Sequence, residues 1–217
     1  MRPRLVLPTT ITAAALFLGA CSSTDHSGMN MGSGASTGPG GSGAPSTKLN
    51  IPADAAFNAT DVGFAQGMIP HHGQAVEMAD LALATSSNPE IKKIAEQIKA
   101  AQSPEIEKMS GWLKSWNQTV PDPKMKMDAT MEHPGGMAMS GMMSEADMAR
   151  LGNGTGTQFD RMFLEMMVLH HEGAVEMAKK EVADGKYQPT KDLAQAVIKG
   201  QEAEIIEMNA MLKSLPA

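Results

Sequence analysis

Two nearly identical segments each place a pair of adjacent histidines between methionines: "MIPHHGQAVEMA" at 68–79 and "MVLHHEGAVEMA" at 167–178. Thioether sulfur is a soft, uncharged ligand that suits Cu(I) or Ag(I) and binds Zn(II), Mg(II) or Ca(II) poorly. Methionine at helical spacing is also a common core residue, so packing is the alternative explanation for these sulfurs. The candidate ligands form two matched sets: Met68, His71, His72 and Met78, and Met167, His170, His171 and Met177.

A second group of eight methionines lies between positions 125 and 148. This stretch has no apolar period, so packing in a core explains its methionines poorly. Soft-metal binding explains them better, and scavenging of oxidants by exposed thioethers is the main rival. The candidate ligands in this stretch are Met125, Met127, Met131, His133, Met137, Met139, Met142 and Met143.

The two histidine segments belong to a longer repeat with a fixed offset of 99 positions. Phe64 matches Phe163 at this offset, and the match continues through a second amphipathic segment, where "LKS" at 113–115 returns at 212–214. Each half is therefore predicted to be a helical hairpin, with repeats at about 57–117 and 156–216. Two such hairpins form an all-α four-helix bundle with one long Met-rich crossover at 118–156.

Capping residues and turn residues place the helices. Asn58 or Thr60 begins a helix that ends near 84, and "TSSNPE" at 85–90 separates it from a second helix at 89–116. A short helix capped by Ser144 is predicted at 144–151, followed by long helices at 157–183 and 190–214. Pro70 and Pro104 predict kinks in the first half alone.

The heptad spacing puts His71 and His170 on stripes that face the core, each within a run of Phe, Met and Ala. His72 and His171 point about 100° away, to the edge of the stripe, where they can reach a groove or a neighbouring helix. Four polar residues interrupt the apolar stripes of the second and fourth long helices: Gln102, Glu105, Gln201 and Glu204. These residues either satisfy the histidines in a structural hydrogen-bond network or orient them as metal ligands.

The N-terminus predicts export. A basic start, an apolar run of 14 residues and "LGAC" at 18–21 resemble a lipoprotein signal in residues 1–21, with Cys21 as the lipid-modified residue. An ordinary signal peptide with an incidental cysteine is the alternative. Residues 22–48 contain seven Gly and seven Ser and predict a flexible tether to a domain at 49–217. The expected location is the extracytoplasmic side of a bacterial membrane, in the cell envelope or periplasm, held by lipid.

Charge and cysteine content narrow the classes of function. The net charge is −6, and it becomes −8 when a signal containing Arg2 and Arg4 is removed. The sequence contains no block of basic residues, so a nucleic-acid partner is not expected. Because Cys21 is the single cysteine, the chain can form neither an internal disulfide nor a thiolate metal cluster.

The doubled His-His-x-x-Ala-x-x-Met-Ala pattern within "FAQGMIPHHGQAVEMADLA" and "FDRMFLEMMVLHHEGAVEMA" resembles the DUF305 family over roughly residues 50–216. The resemblance implies an exported, ferritin-like helical bundle. Some members of the family bind copper outside the cytoplasm and take part in copper resistance. For this chain the resemblance implies copper binding through the two matched histidine and methionine sets.

Three functions follow as hypotheses. The first is a non-enzymatic copper-binding lipoprotein that buffers or carries Cu(I), with some capacity for Cu(II), and serves a copper-handling partner protein. The second is an envelope lipoprotein in which the polar residues form only a structural network. The third is a di-iron oxidoreductase, which the sequence disfavours because Met68 and Met167 stand where a Glu-x-x-His motif requires Glu.

Overall fold

The computed structural model describes residues 49–125 and 140–216, all of which belong to one compact unit, Gly43–Ala217. The prediction of an all-α bundle is confirmed, since these residues form five helices and no strand. The helices are α1 Ala59–Thr85, α2 Pro89–Ser115, α3 Glu145–Gly152, α4 Gly156–Asp184 and α5 Gln188–Ser214. Each begins and ends within two residues of its predicted bounds. In hydropathy or length, each of the five falls short of a bilayer span.

The predicted caps account for three of the helix starts. The Asn58 side chain accepts hydrogen bonds from the backbone N–H groups of Thr60 and Asp61, and the Asp61 carboxylate accepts one from the backbone N–H of Asn58, which completes a capping box. Asn88 caps α2, and the Ser144 side chain caps α3. Pro70 and Pro104 both lie inside helices that continue through them.

The helices pack as two antiparallel hairpins, α1 with α2 and α4 with α5, and the hairpins meet chiefly along α1 and α4. Contacts between α2 and α5 are few. The start of α1 lies beside the end of α4, because the Asn58 side chain donates to the carbonyl of Asp184. Antiparallel packing brings the midpoints of α1 and α4 together, and the histidine pairs lie at those midpoints.

The apolar core has two parts, and the histidines lie between them. On α1, residues 62–69 belong to the first part and residues 75–82 to the second. On α4 the order is reversed, with 159–167 in the second part and 174–178 in the first. The methionines of the two repeats pack into these parts: Met68, Met78, Met167 and Met177 are all buried.

Three buried polar residues contact one another near one end of the bundle: Asp61, Glu181 and Thr190. We call them the end cluster. The Thr190 hydroxyl oxygen lies 2.8 Å from Asp61 Oδ1, 2.6 Å from Glu181 Oε1 and 2.7 Å from the carbonyl oxygen of Tyr187. A hydroxyl has only one hydrogen to donate. The three short contacts are therefore best satisfied when Glu181 is protonated and donates a hydrogen bond itself.

The pKa shifts of the two carboxyl groups agree with a protonated Glu181. Burial, reinforced by the nearby Asp61 carboxylate, raises the pKa of Glu181 to about 8. Burial by itself would raise the pKa of Asp61 as well, but hydrogen bonds from Glu181 and from the backbone N–H groups of Asn58 and Tyr187 hold it below its usual value. The end cluster thus joins α1 to the α4–α5 turn through a carboxylate and a neutral carboxylic acid.

Candidate metal centre

The four histidines of the two repeats form one buried group, the histidine centre: His71, His72, His170 and His171. All four side chains are fully inaccessible to solvent. The rings of His71 and His170 face each other across the bundle, with centroids 3.8 Å apart and planes inclined by 44°. The predicted inward stripes therefore meet at the histidines.

His72 and His171 each form a short hydrogen bond to a carboxylate on the partner helix of their own hairpin. The Nε2–Oε2 distance is 2.7 Å both for His72 with Glu105 and for His171 with Glu204. Because the carboxylate accepts, Nε2 carries the hydrogen, and a neutral ring keeps its lone pair on Nδ1. The same carboxylate–histidine arrangement orients the imidazole ligands of many metal sites.

The histidines on the inward stripes have fewer partners. His71 Nε2 donates to the carbonyl oxygen of Ser140 at 3.0 Å, so its Nδ1 also holds a lone pair. Neither nitrogen of His170 has a partner in good hydrogen-bonding geometry, although the backbone carbonyl of His71 lies nearby. Each buried polar atom without a partner costs about 1–3 kcal/mol of stability, so such atoms in a folded protein call for an explanation.

Buried polar atoms without a hydrogen-bond partner occur on all four histidines and on one glutamine each of α2 and α5. The Nδ1 atoms of all four histidines lack partners, as do both amide atoms of Gln102 and the oxygen of Gln201. A network that existed only to satisfy its own members would leave few such atoms. The residues present fit a bound cation that takes up nitrogen lone pairs, because several lone pairs are held together out of water.

The inward histidines are held neutral. Burial, with a smaller contribution from His72, lowers the pKa of His71 to about 3. Burial, followed by the neighbouring His71, also holds the pKa of His170 well below its usual value, and the nearby carbonyl of His71 opposes this only weakly. A neutral imidazole is the form that binds metal, so these two rings are ready to act as ligands near neutral pH.

Nitrogen and carboxylate ligands do not complete a site by themselves. The described parts of the chain contain no group of three or more His, Cys, Asp or Glu residues arranged to hold a metal ion. A copper site here would need sulfur: Met68 and Met167 lie three residues before His71 and His170, on the same helix faces, and are buried.

The predicted crossover ligands divide into three sets. Met125 is 45% exposed, whereas Met142 and Met143 are buried and pack against the core. Met127, Met131, His133, Met137 and Met139 lie outside the described residues, as do Cys21 and the tether.

Several residues near the centre carried no sequence signal. Ser140 acts through its backbone carbonyl, which any residue type supplies. Gly73 and Gly173 allow the backbone of the crossover to approach the helices closely. A Cβ at Gly73 would collide with the carbonyl of Pro123, and a Cβ at Gly173 would collide with the carbonyl of Ser140. The two ends of the crossover thus press directly on α1 and α4, each within three residues of a histidine.

A family model described as "Domain of unknown function (DUF305)" matches residues 61–212, which include both hairpins. The chain belongs to the DUF305 family. The resemblance predicted from the doubled histidine motif is therefore confirmed. None of the curated proteins matches the chain.

Solved structures of the DUF305 family share the fold. A protein from Streptomyces coelicolor described as a secreted DUF305 protein is 34% identical, with a TM-score of 0.64 over 72% of this chain and 92% of that one. A DUF305 fragment from Deinococcus radiodurans is 30% identical, with a TM-score of 0.63 over 73% of this chain and 98% of that one. CopM in its Cu(II)-bound form is 33% identical, with a TM-score of 0.58 over 71% of this chain and 96% of that one. Other CopM structures contain Cu(I) or silver, which connects the family with copper.

Proposed function

We propose that this DUF305 protein binds copper at the histidine centre and buffers or carries it outside the cytoplasm in copper tolerance. The observation that carries the proposal is the set of buried histidine nitrogens without partners, two of them on rings oriented by carboxylates. Cu(I) is the favoured ion, because it accepts few, neutral and soft ligands. Cu(II) is a second state that imidazole also supports.

Each part of the centre has a role in this proposal. His71 and His170 are the primary ligands, and Met68 and Met167 supply thioether sulfur from the same faces. Glu105 and Glu204 hold His72 and His171 in one tautomer and increase the basicity of the rings. Both carboxylates are about one-fifth exposed, at 20% and 19%, so each hairpin connects the buried centre with solvent through a His–Glu pair.

The family relationship supports the same assignment. CopM has been crystallised with Cu(II), with Cu(I) and with silver, and silver has the softness and charge of Cu(I). We propose that the present chain shares this preference and acts without catalysis. We also propose that it is exported and held at the membrane by lipid on Cys21, that it serves a copper-handling protein partner, and that it does not bind nucleic acid.

Glu105→Gln is expected to weaken copper binding about 10-fold, within the 10–100-fold range typical of changes to groups that orient metal ligands. Glutamine retains the hydrogen-bond acceptor but removes the negative charge that makes the His72 ring more basic. Competition of the purified chain with a Cu(I) chelator measures the effect.

Glu107→Gln is the matched control, since Glu107 lies two residues further along α2 and is exposed. Its affinity should equal that of the wild type. Equal affinities for the wild type and both variants would show that the His72–Glu105 pair has no role in metal binding and would favour a purely structural network.

A further inference from the structure

A cavity of about 310 Å³ lies between α1, α3 and the two described ends of the crossover. Three methionines from three separate segments line it: Met125, Met143 and Met148. We call it the methionine cavity. Glu77 and Gln74 of α1 contribute to its wall, and so does Lys124.

Specific contacts hold two of the three segments in place. Gln74 binds the backbone of Met143 at two points, donating from Nε2 to its carbonyl at 2.9 Å and accepting its N–H at 2.8 Å. The Met125 N–H donates to the carbonyl of Asp122 at 2.9 Å, in a turn packed on Gly73. Met148 lies on α3, whose first turn is capped by Ser144. The backbone that presents the methionines is therefore fixed by the fold.

The chemistry of the wall favours a soft cation. Three thioethers are poor ligands for Mg(II), Ca(II) or Zn(II) but good ligands for Cu(I) and Ag(I). The carboxylate of Glu77, which is exposed beside them, offsets the positive charge of an ion. Lys124 is exposed too, and its long side chain can extend into solvent when a cation enters.

We propose that the methionine cavity is a second site for a soft monovalent metal ion, with Met125, Met143 and Met148 as its sulfur ligands. The site goes beyond the proposed function because it needs none of the four histidines. It is open to solvent where the histidine centre is closed: Met125 is 45% exposed, and the histidines are fully buried. Ions at the cavity should therefore exchange faster than ions at the centre.

The cavity and the histidine centre share one short segment, residues 140–143. Ser140 accepts the hydrogen bond of His71, and Met143 three residues later is bound by Gln74. Gln74, which lines the methionine cavity, lies within one turn of α1 from His71. This position suits a site that receives an ion at the surface before it reaches the histidines.

Titration of the full chain with Ag(I), followed by equilibrium dialysis and metal analysis, tests the proposal. The variant Met125→Leu/Met148→Leu should bind one Ag(I) fewer per chain than the wild type. The control Met109→Leu/Met208→Leu changes two fully buried core methionines remote from the cavity wall and should bind the wild-type number. The single variant Met125→Leu changes a half-exposed side chain and is expected to leave the fold intact, which circular dichroism checks.

Unchanged Ag(I) binding in both Met125 variants would overturn the methionine cavity as a site. A parallel titration of His71→Leu/His170→Leu separates this result from the fate of the proposed function. If the histidine variant binds the wild-type number of ions while the Met125 variants lose one, the histidine centre fails and the methionine cavity stands.

Discussion

Replacement of His170 by leucine is expected to stabilise the metal-free protein and to weaken copper binding sharply. Both ring nitrogens of His170 are buried without partners, and leucine fills a similar volume with no polar atom to desolvate. The gain in the free energy of unfolding should be about 1–3 kcal/mol, the usual cost of leaving a buried polar group unpaired. Urea unfolding in the presence of a metal chelator measures it.

A structural role for His170 predicts the opposite sign. If the ring contributed to a satisfied network, its removal would destabilise the protein, as most core substitutions do. Met208→Leu, a fully buried exchange of similar volume on α5, is the control and should not increase stability. A loss of stability in His170→Leu that exceeds the loss in Met208→Leu would contradict the assignment of His170 as a ligand.

Glu181→Gln is expected to remove a loss of stability that the wild type undergoes as the pH rises. The folded state holds a proton on Glu181 up to about pH 8, whereas the unfolded chain releases it near 4.5. Stability from this proton is full below pH 4.5 and is lost as the pH rises to about 8. A shift from 4.5 to about 8 corresponds to at most about 5 kcal/mol, at about 1.4 kcal/mol per pKa unit, and screening by solvent reduces the expected loss to roughly 2–4 kcal/mol. Glutamine keeps a donor toward Asp61 and does not titrate.

The difference in unfolding free energy between Glu181→Gln and the wild type should therefore grow in favour of the variant from pH 5 to pH 9. Taking this difference cancels the effect of His71 and His170, whose lowered pKa values are the same in both proteins. Lys191, whose charge lowers the pKa of Glu181, is also unchanged in both. Glu176→Gln, an exposed change on the same helix, is the control. Parallel pH profiles for all three proteins would show that Glu181 is ionised in the folded state.

The helices and their core-facing sides could be predicted from the sequence. Helix starts depend on local residues, and each hairpin occurs twice. Asn58, Pro89 and Ser144 mark helix starts by their own chemistry, and the offset of 99 identifies the matching faces. The same register predicted that Glu105 and Glu204 would lie near the histidines. The structure adds that each of these carboxylates binds the second histidine of its own hairpin, His72 or His171.

Contacts that the two repeats do not share were harder to predict. Gln74 corresponds to Gly173 at the offset of 99, so its role in binding Met143 has no counterpart in the second half. Asp61 does recur, as Asp160, but Glu181 corresponds to Ala82, so the end cluster exists at one end only. These contacts depend on how the crossover and the α4–α5 turn fold back on the bundle, and such tertiary positions leave no periodic trace in the sequence.

X-ray absorption at the copper edge, with the chain loaded with one equivalent of Cu(I), tests whether copper binds at the histidine centre. We expect copper to be coordinated by imidazole nitrogen together with thioether sulfur, and we expect the nitrogen contribution to be lost in His71→Leu/His170→Leu. A first shell of sulfur alone, unchanged in that variant, would show that copper does not bind at the histidine centre.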